Sequence, residues 1–179
     1  MNRRFTVLLA VGAVVAALAA GCSGGQRPPS VDRGSVVGEV ALDFSGAVTG
    51  LAQGPADVRC FQPAEKGDRF TVSIDADFGI PVDGTIFRSL DVAAVDYEGP
   101  KRYDLGKALA TDAVDRDDFF LLFDTGPEPF GWGGKHSDGT LTVDPGESTG
   151  RIALIGWENS RDERIDVHGT FRCGRSPRS

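Results

Sequence analysis

Residues 69–75 read Arg69-Phe70-Thr71-Val72-Ser73-Ile74-Asp75. Phe70, Val72 and Ile74 fall on one face, while Thr71, Ser73 and Asp75 fall on the other. That period of two belongs to a half-buried strand. The same signal recurs on both sides of it. Val36 to Phe44 reads as a first strand in which Val40, Leu42 and Phe44 alternate, and Ala56 to Phe61 as a short second strand around Cys60. Thr85 to Val95 contains another. Tyr97-Glu98-Gly99-Pro100 turns the chain, and Arg102-Tyr103-Asp104-Leu105 resumes it. Asp118 to Asp124 is apolar at five consecutive positions, which predicts a central strand buried on both faces. Gly139 to Asp144, a turn at Pro145-Gly146-Glu147-Ser148, and Arg151 to Glu158 give strand, turn and strand. In Arg164 to Cys173, Ile165, Val167, Phe171 and Cys173 share one face, and Asp166, His168, Thr170 and Arg172 the other. The weak helix candidate is Lys107 to Ala113. Many short strands with turn signals between them predict an all-β fold, an antiparallel β-sandwich or flattened barrel.

The N-terminus carries a different signal. Arg3 and Arg4 precede an apolar run from Phe5 to Leu18, too short for a comfortable membrane span of about 20 residues. The run ends in Leu18-Ala19-Ala20-Gly21-Cys22, which resembles the lipobox of bacterial lipoproteins. That family prefers Leu at the place held by Ala19, and here Leu18 lies one place early. The resemblance implies diacylglyceryl transfer to Cys22, cleavage before it, and a stable anchor of two or three acyl chains. An ordinary secretory signal with a free Cys22 thiol, or an uncleaved helix, are the alternatives. Ser23 to Ser30 has no periodicity and reads as a flexible tether. The expected organisation is therefore a signal peptide (1–21), a lipidated cysteine with linker (22–34), a β-sandwich domain (35–175) and a C-terminal tail (176–179). The expected location is the outer face of the cytoplasmic membrane.

Cleavage would leave 158 of the 179 residues and remove two arginines, leaving 17 basic against 26 acidic side chains, a net of −9. Nucleic acid demands a basic footprint, so it is excluded as a partner. The same balance keeps the body of the domain off an anionic bilayer. With Cys22 committed to lipid, Cys60 and Cys173 remain in a disulfide-permissive compartment and form one obvious pair. Cys60 shares a face with Val58, and Cys173 with Phe171, so both thiols point toward a common interior. Two separate buried thiols are the alternative.

The early strand ending Phe44-Ser45-Gly46, the cysteine strand, the Tyr97–Leu105 run, the Gly139–Asp144 strand and the closing Gly169-Thr170-Phe171-Arg172-Cys173 occur in an order that resembles small actinobacterial, mycobacterial-type envelope lipoproteins. The resemblance spans most of residues 35–174. It implies a β-sandwich on the cell surface and no defined catalytic residue. The Ala, Gly, Val, Asp and Arg bias fits a GC-rich host.

Candidate chemistry is sparse. Asp166 and His168 lie two apart on one strand face, but no G-x-S-x-G elbow accompanies them. Two histidines without spare cysteines do not supply the ligand set of a zinc site. Asp75-Ala76-Asp77-Phe78-Gly79 begins like a calcium loop, yet its sixth and twelfth places hold Ile80 and Ile86. Asp112, Asp115, Asp117 and Asp118 form an acidic cluster that reads as a solvated loop. Trp157 and Glu158 read as packing and strand edge. Gly126 to Asp138 is the longest irregular stretch, and long loops are often functional. It supplies the candidate ligand loop of Trp132, Lys135 and His136, with Trp132 either stacking on a sugar or plugging one end of the fold.

The sequence thus points to a non-enzymatic binding or structural module without metal, cofactor or catalytic residues. Its partners are the membrane, through the anchor, and a lipid, glycan or envelope-protein ligand. A carrier that encloses an apolar ligand near Phe119 to Phe123 is the second reading, and a cell-wall hydrolase the third.

Overall fold

The computed structural model describes residues 37–65, 67–106, 119–124, 126–132 and 136–174. The expected signal peptide, Cys22 and the expected linker, the helix candidate at Lys107–Ala113, the acidic cluster Asp112–Asp118, Lys135 and the tail at 176–179 lie outside those residues.

Ten strands follow one another: β1 (Val37–Gly46), β2 (Gly50–Phe61), β3 (Phe70–Val82), β4 (Thr85–Ala94), β5 (Arg102–Asp104), β6 (Phe120–Phe123), β7 (Phe130–Gly131), β8 (Asp138–Val143), β9 (Thr149–Glu158) and β10 (Arg164–Arg172). Every pairing is antiparallel. The sheet runs β10-β1-β2-β3-β4-β6-β7-β9, and β9 pairs back onto β10. The fold is therefore an eight-stranded closed barrel, the closed form of the predicted antiparallel architecture. Closure removes the exposed edges that an open sheet would carry.

One edge of β9 serves two partners. Its Gly150–Ile155 stretch pairs with β8, which carries β5 on its far side, whereas Glu158 alone pairs with Gly131 of β7. Sequence patterning finds most strands within a few residues. It misses β7, whose two residues are too few to alternate.

Alternation decides what is inside. Along β1, Val40, Leu42 and Phe44 are buried while Glu39, Asp43 and Ser45 are exposed. The interior is filled by rings. Phe44 lies 5.7 Å from Phe87 and 5.4 Å from Phe123, between centroids. Phe70, Tyr97 and Tyr103 stack at 4.8 and 5.3 Å. Trp157 meets Phe119 edge-on at 6.2 Å. Each such contact adds about 0.5–1.5 kcal/mol beyond its area burial.

The expectation that β6 is buried on both faces is corrected. Leu121 and Phe123 are buried, but Phe120 and Leu122 are half-exposed. The strand belongs to a barrel wall whose outer side nothing in the described residues covers.

Cys60 and Cys173 form a disulfide, with Cα atoms 5.8 Å apart. That separation is within the ordinary range for a bridge. Beyond β10 the chain runs past the start of β1: Cys173 donates its N–H to Ser148 O of the β8–β9 turn at 2.8 Å, and Gly174 donates to Val58 O of β2 at 2.9 Å. The close approach requires Gly38, where a Cβ would lie 2.7 Å from Val58 Cβ. Both cysteines pack against the core as predicted.

Candidate functional site

β6 and β7 lie side by side, with Phe120 opposite Gly131 on the outer face and Leu121 opposite Phe130 on the buried one. Phe119, Phe120, Leu122, Pro129, Phe130, Gly131 and Trp132 line a shallow hollow of about 470 Å³ there. Trp132 is half-buried and set edge-on to Phe119 at 6.5 Å. A Cβ on Gly106 would come within 3.5 Å of its ring. The indole packs against the core and faces outward at once. It covers part of the core, and it presents apolar surface to the hollow.

β4 supplies the polar side of this surface. Phe120 is cross-strand neighbour to Asp91 and Leu122 to Ser89, and beyond them Ser73 and Asp75 follow on β3. A half-exposed apolar platform thus adjoins hydroxyl and carboxylate side chains. Farther round the wall, Asp75 sits opposite Asp57, whose carboxylate is held by Arg59. Partial burial and the nearby charges of Asp77 and Asp57 raise the Asp75 carboxyl above the ordinary range.

The other loop residue does not join this hollow. His136 is exposed and lies outside the lining; its neighbour Ser137 donates its hydroxyl to Gly156 O at 2.9 Å. Asp166 and His168 are also separated in role. Asp166 Oδ1 accepts the N–H of Gly156 at 2.7 Å, while His168 is exposed and faces Asp43 of β1 across the sheet. Among the described residues, no group of three or more metal-ligating side chains converges.

A second apolar feature was not legible in the sequence. The register of β3 against β4 shifts between Asp75 and Ile80, and the extra residues form a bulge. Phe78 at its tip is fully exposed, beside a groove of about 340 Å³ lined in part by Val37, Ala56, Ala76 and Ile80. Asp77-Phe78-Gly79 breaks no alternation strongly enough to announce this.

No protein-family model matches the chain, and comparison with curated proteins and with solved structures gives no match.

Proposed function

We propose that the chain is a lipid-anchored cell-envelope protein whose barrel is a non-enzymatic binding module, with the Trp132 hollow as its ligand surface and a glycan as the ligand class. The observation that carries the ligand surface is the half-buried Trp132 ring beside the outward-facing Phe120 and Leu122, with Ser89 and Asp91 on the adjoining strand. The anchor rests on Ala19-Ala20-Gly21-Cys22 after an apolar run. The Cys60–Cys173 bridge supports a compartment outside the reducing cytoplasm. The ring-filled interior favours recognition on the outer wall over carriage of an enclosed lipid.

Two measurements test the two halves of this reading. Metabolic labelling with an alkyne fatty acid should mark the wild-type chain and fail with Cys22→Ala; equal labelling of both removes the anchor. Co-sedimentation with insoluble envelope polysaccharide should weaken by about tenfold in Trp132→Ala, as loss of one stacking contact implies. Equal retention of both forms, or of neither, removes the ligand surface.

A further inference from the structure

The outer face of β5, β8, β9 and β10 carries a row of side chains on successive strands. Arg102 of β5 is opposite Thr142 of β8, Thr142 is opposite Arg151 of β9, and Arg151 is opposite Thr170 of β10. Adjacent strands lie about 4.8 Å apart, so the two arginine backbones flank Thr142 at a separation of about 10 Å. Long side chains bridge that distance easily.

Arg102 and Arg151 differ from the other described basic side chains in their ion pairing. Arg59, Arg88, Lys101, Arg161, Arg164 and Arg172 each form an ion pair with a carboxylate. Arg69 is engaged as well. Arg102 and Arg151 have no carboxylate partner among the described residues, although acidic side chains outnumber basic ones by 26 to 19 in the chain. They share an open hollow of about 700 Å³ whose floor includes Ala153 and Gly169 and whose lining contains no Asp or Glu. His168 stands at its rim. Acids do stand near the row: in an adjoining hollow that also includes Arg151, Asp144 accepts the Thr149 hydroxyl at 3.0 Å and Glu39 pairs with Arg172. Asp104 accepts the Gly106 N–H at 3.0 Å, and Asp43 lies across from His168.

We propose that this row is an anion site for a phosphate group, separate from the Trp132 hollow. Two guanidinium forks with threonine hydroxyls between and beside them offer more donors than the two oxygens of a carboxylate can accept. A phosphate, with three or more acceptor oxygens and a larger charge, uses them all. Small residues on the floor let the anion approach the sheet. In an acidic protein, a basic couple without an ion pair among the described residues is also where the field draws an anion.

The test uses the full chain in a nonionic detergent, with amide resonances followed by NMR. One arm adds inorganic phosphate; the other adds phosphatidylglycerol to the micelles. Saturable shifts at Thr142, Arg151 and Thr170, weakened at least about tenfold in Arg102→Gln/Arg151→Gln while the rest of the spectrum is preserved, support the site. Saturation in both arms assigns phosphate in general, and saturation in the lipid arm alone assigns a phospholipid headgroup. Absence of saturable shifts in both arms overturns the proposal, as do shifts that persist unchanged in the double variant. A Trp132→Ala chain should bind phosphate normally, so failure here is distinguishable from failure of the glycan surface.

Discussion

Gly156 donates its backbone N–H to Asp166 Oδ1 at 2.7 Å, across a bulge where β9 and β10 change register. The bulge reverses the phase of β9. Leu154 points in and Ile155 out, but Gly156 and Trp157 are then both buried. Gly156 has a φ of 64°, and a Cβ there would lie 2.5 Å from the His136 carbonyl oxygen. Asp166 thus orders the turn that carries Trp157 inward; it does not orient His168. Asp166→Ala should lower stability by about 1–2 kcal/mol, because the Gly156 donor loses its partner. His168→Ala should stay within about 0.5 kcal/mol of wild type. Urea unfolding at neutral pH separates the two, and equal effects would contradict the assignment.

The Cys60–Cys173 bridge closes a sequence separation of 113 residues. In the chain-entropy model such a loop is worth about 4–5 kcal/mol. Reduction should therefore shift the urea midpoint strongly downward, and Cys60→Ala/Cys173→Ala should reproduce that shift without reductant. Intact mass after alkylation should show neither thiol labelled until the protein is reduced. Labelling of either cysteine in the unreduced folded chain would refute the bridge.

Those two cysteines also show what the sequence makes legible. Alternation around Val58 and Phe171 places both thiols toward the core, because period two is a local property of each strand. The all-β class, most strand positions and the disulfide follow from such local signals. Barrel closure does not, since it depends on pairing between β9 and β10 and on the single Gly131–Glu158 contact. The arginine row is invisible for the same reason. Arg102, Thr142, Arg151 and Thr170 are brought together only by register between strands distant in sequence. At the candidate ligand loop, the unusual run around Trp132 marks the platform. The outward turn of Phe120 and Leu122 is hidden by five apolar residues in succession.

Tyr97 offers a pH-dependent readout. Its hydroxyl donates to Glu147 Oε1 at 2.8 Å, beneath the stacked Tyr103 ring. Burial, then the bond to Glu147 and its charge, push the phenol above its ordinary range. Below about pH 10 both folded and unfolded chains keep this proton, so the stabilisation is complete there. Above it the unfolded chain ionises first, and stability falls as pH rises. Tyr97→Phe should cost about 1–2 kcal/mol at neutral pH. It should also flatten that part of the alkaline decline. Urea midpoints at neutral pH and near pH 11 provide the comparison; parallel declines in both proteins would rule out Tyr97 as the titrating group.

Phe78 and Phe87 are nine positions apart, on neighbouring strands, and should respond very unequally to truncation. Phe87 is fully buried and touches the Phe44 and Phe123 rings, so Phe87→Ala should cost about 3–5 kcal/mol. Phe78 is fully exposed on the β3 bulge, where removing its ring takes little apolar surface out of contact. Phe78→Ser should therefore change stability by no more than about 0.5 kcal/mol. The bulge itself is held from below: Arg88 donates to Asp77 O at 2.9 Å and pairs with Asp124. Arg88→Ala should thus destabilise more than Phe78→Ser, although its side chain is itself partly exposed. Thermal melts of the three variants give the order directly, and a Phe78→Ser loss comparable to that of Phe87→Ala would mean the ring is buried in solution.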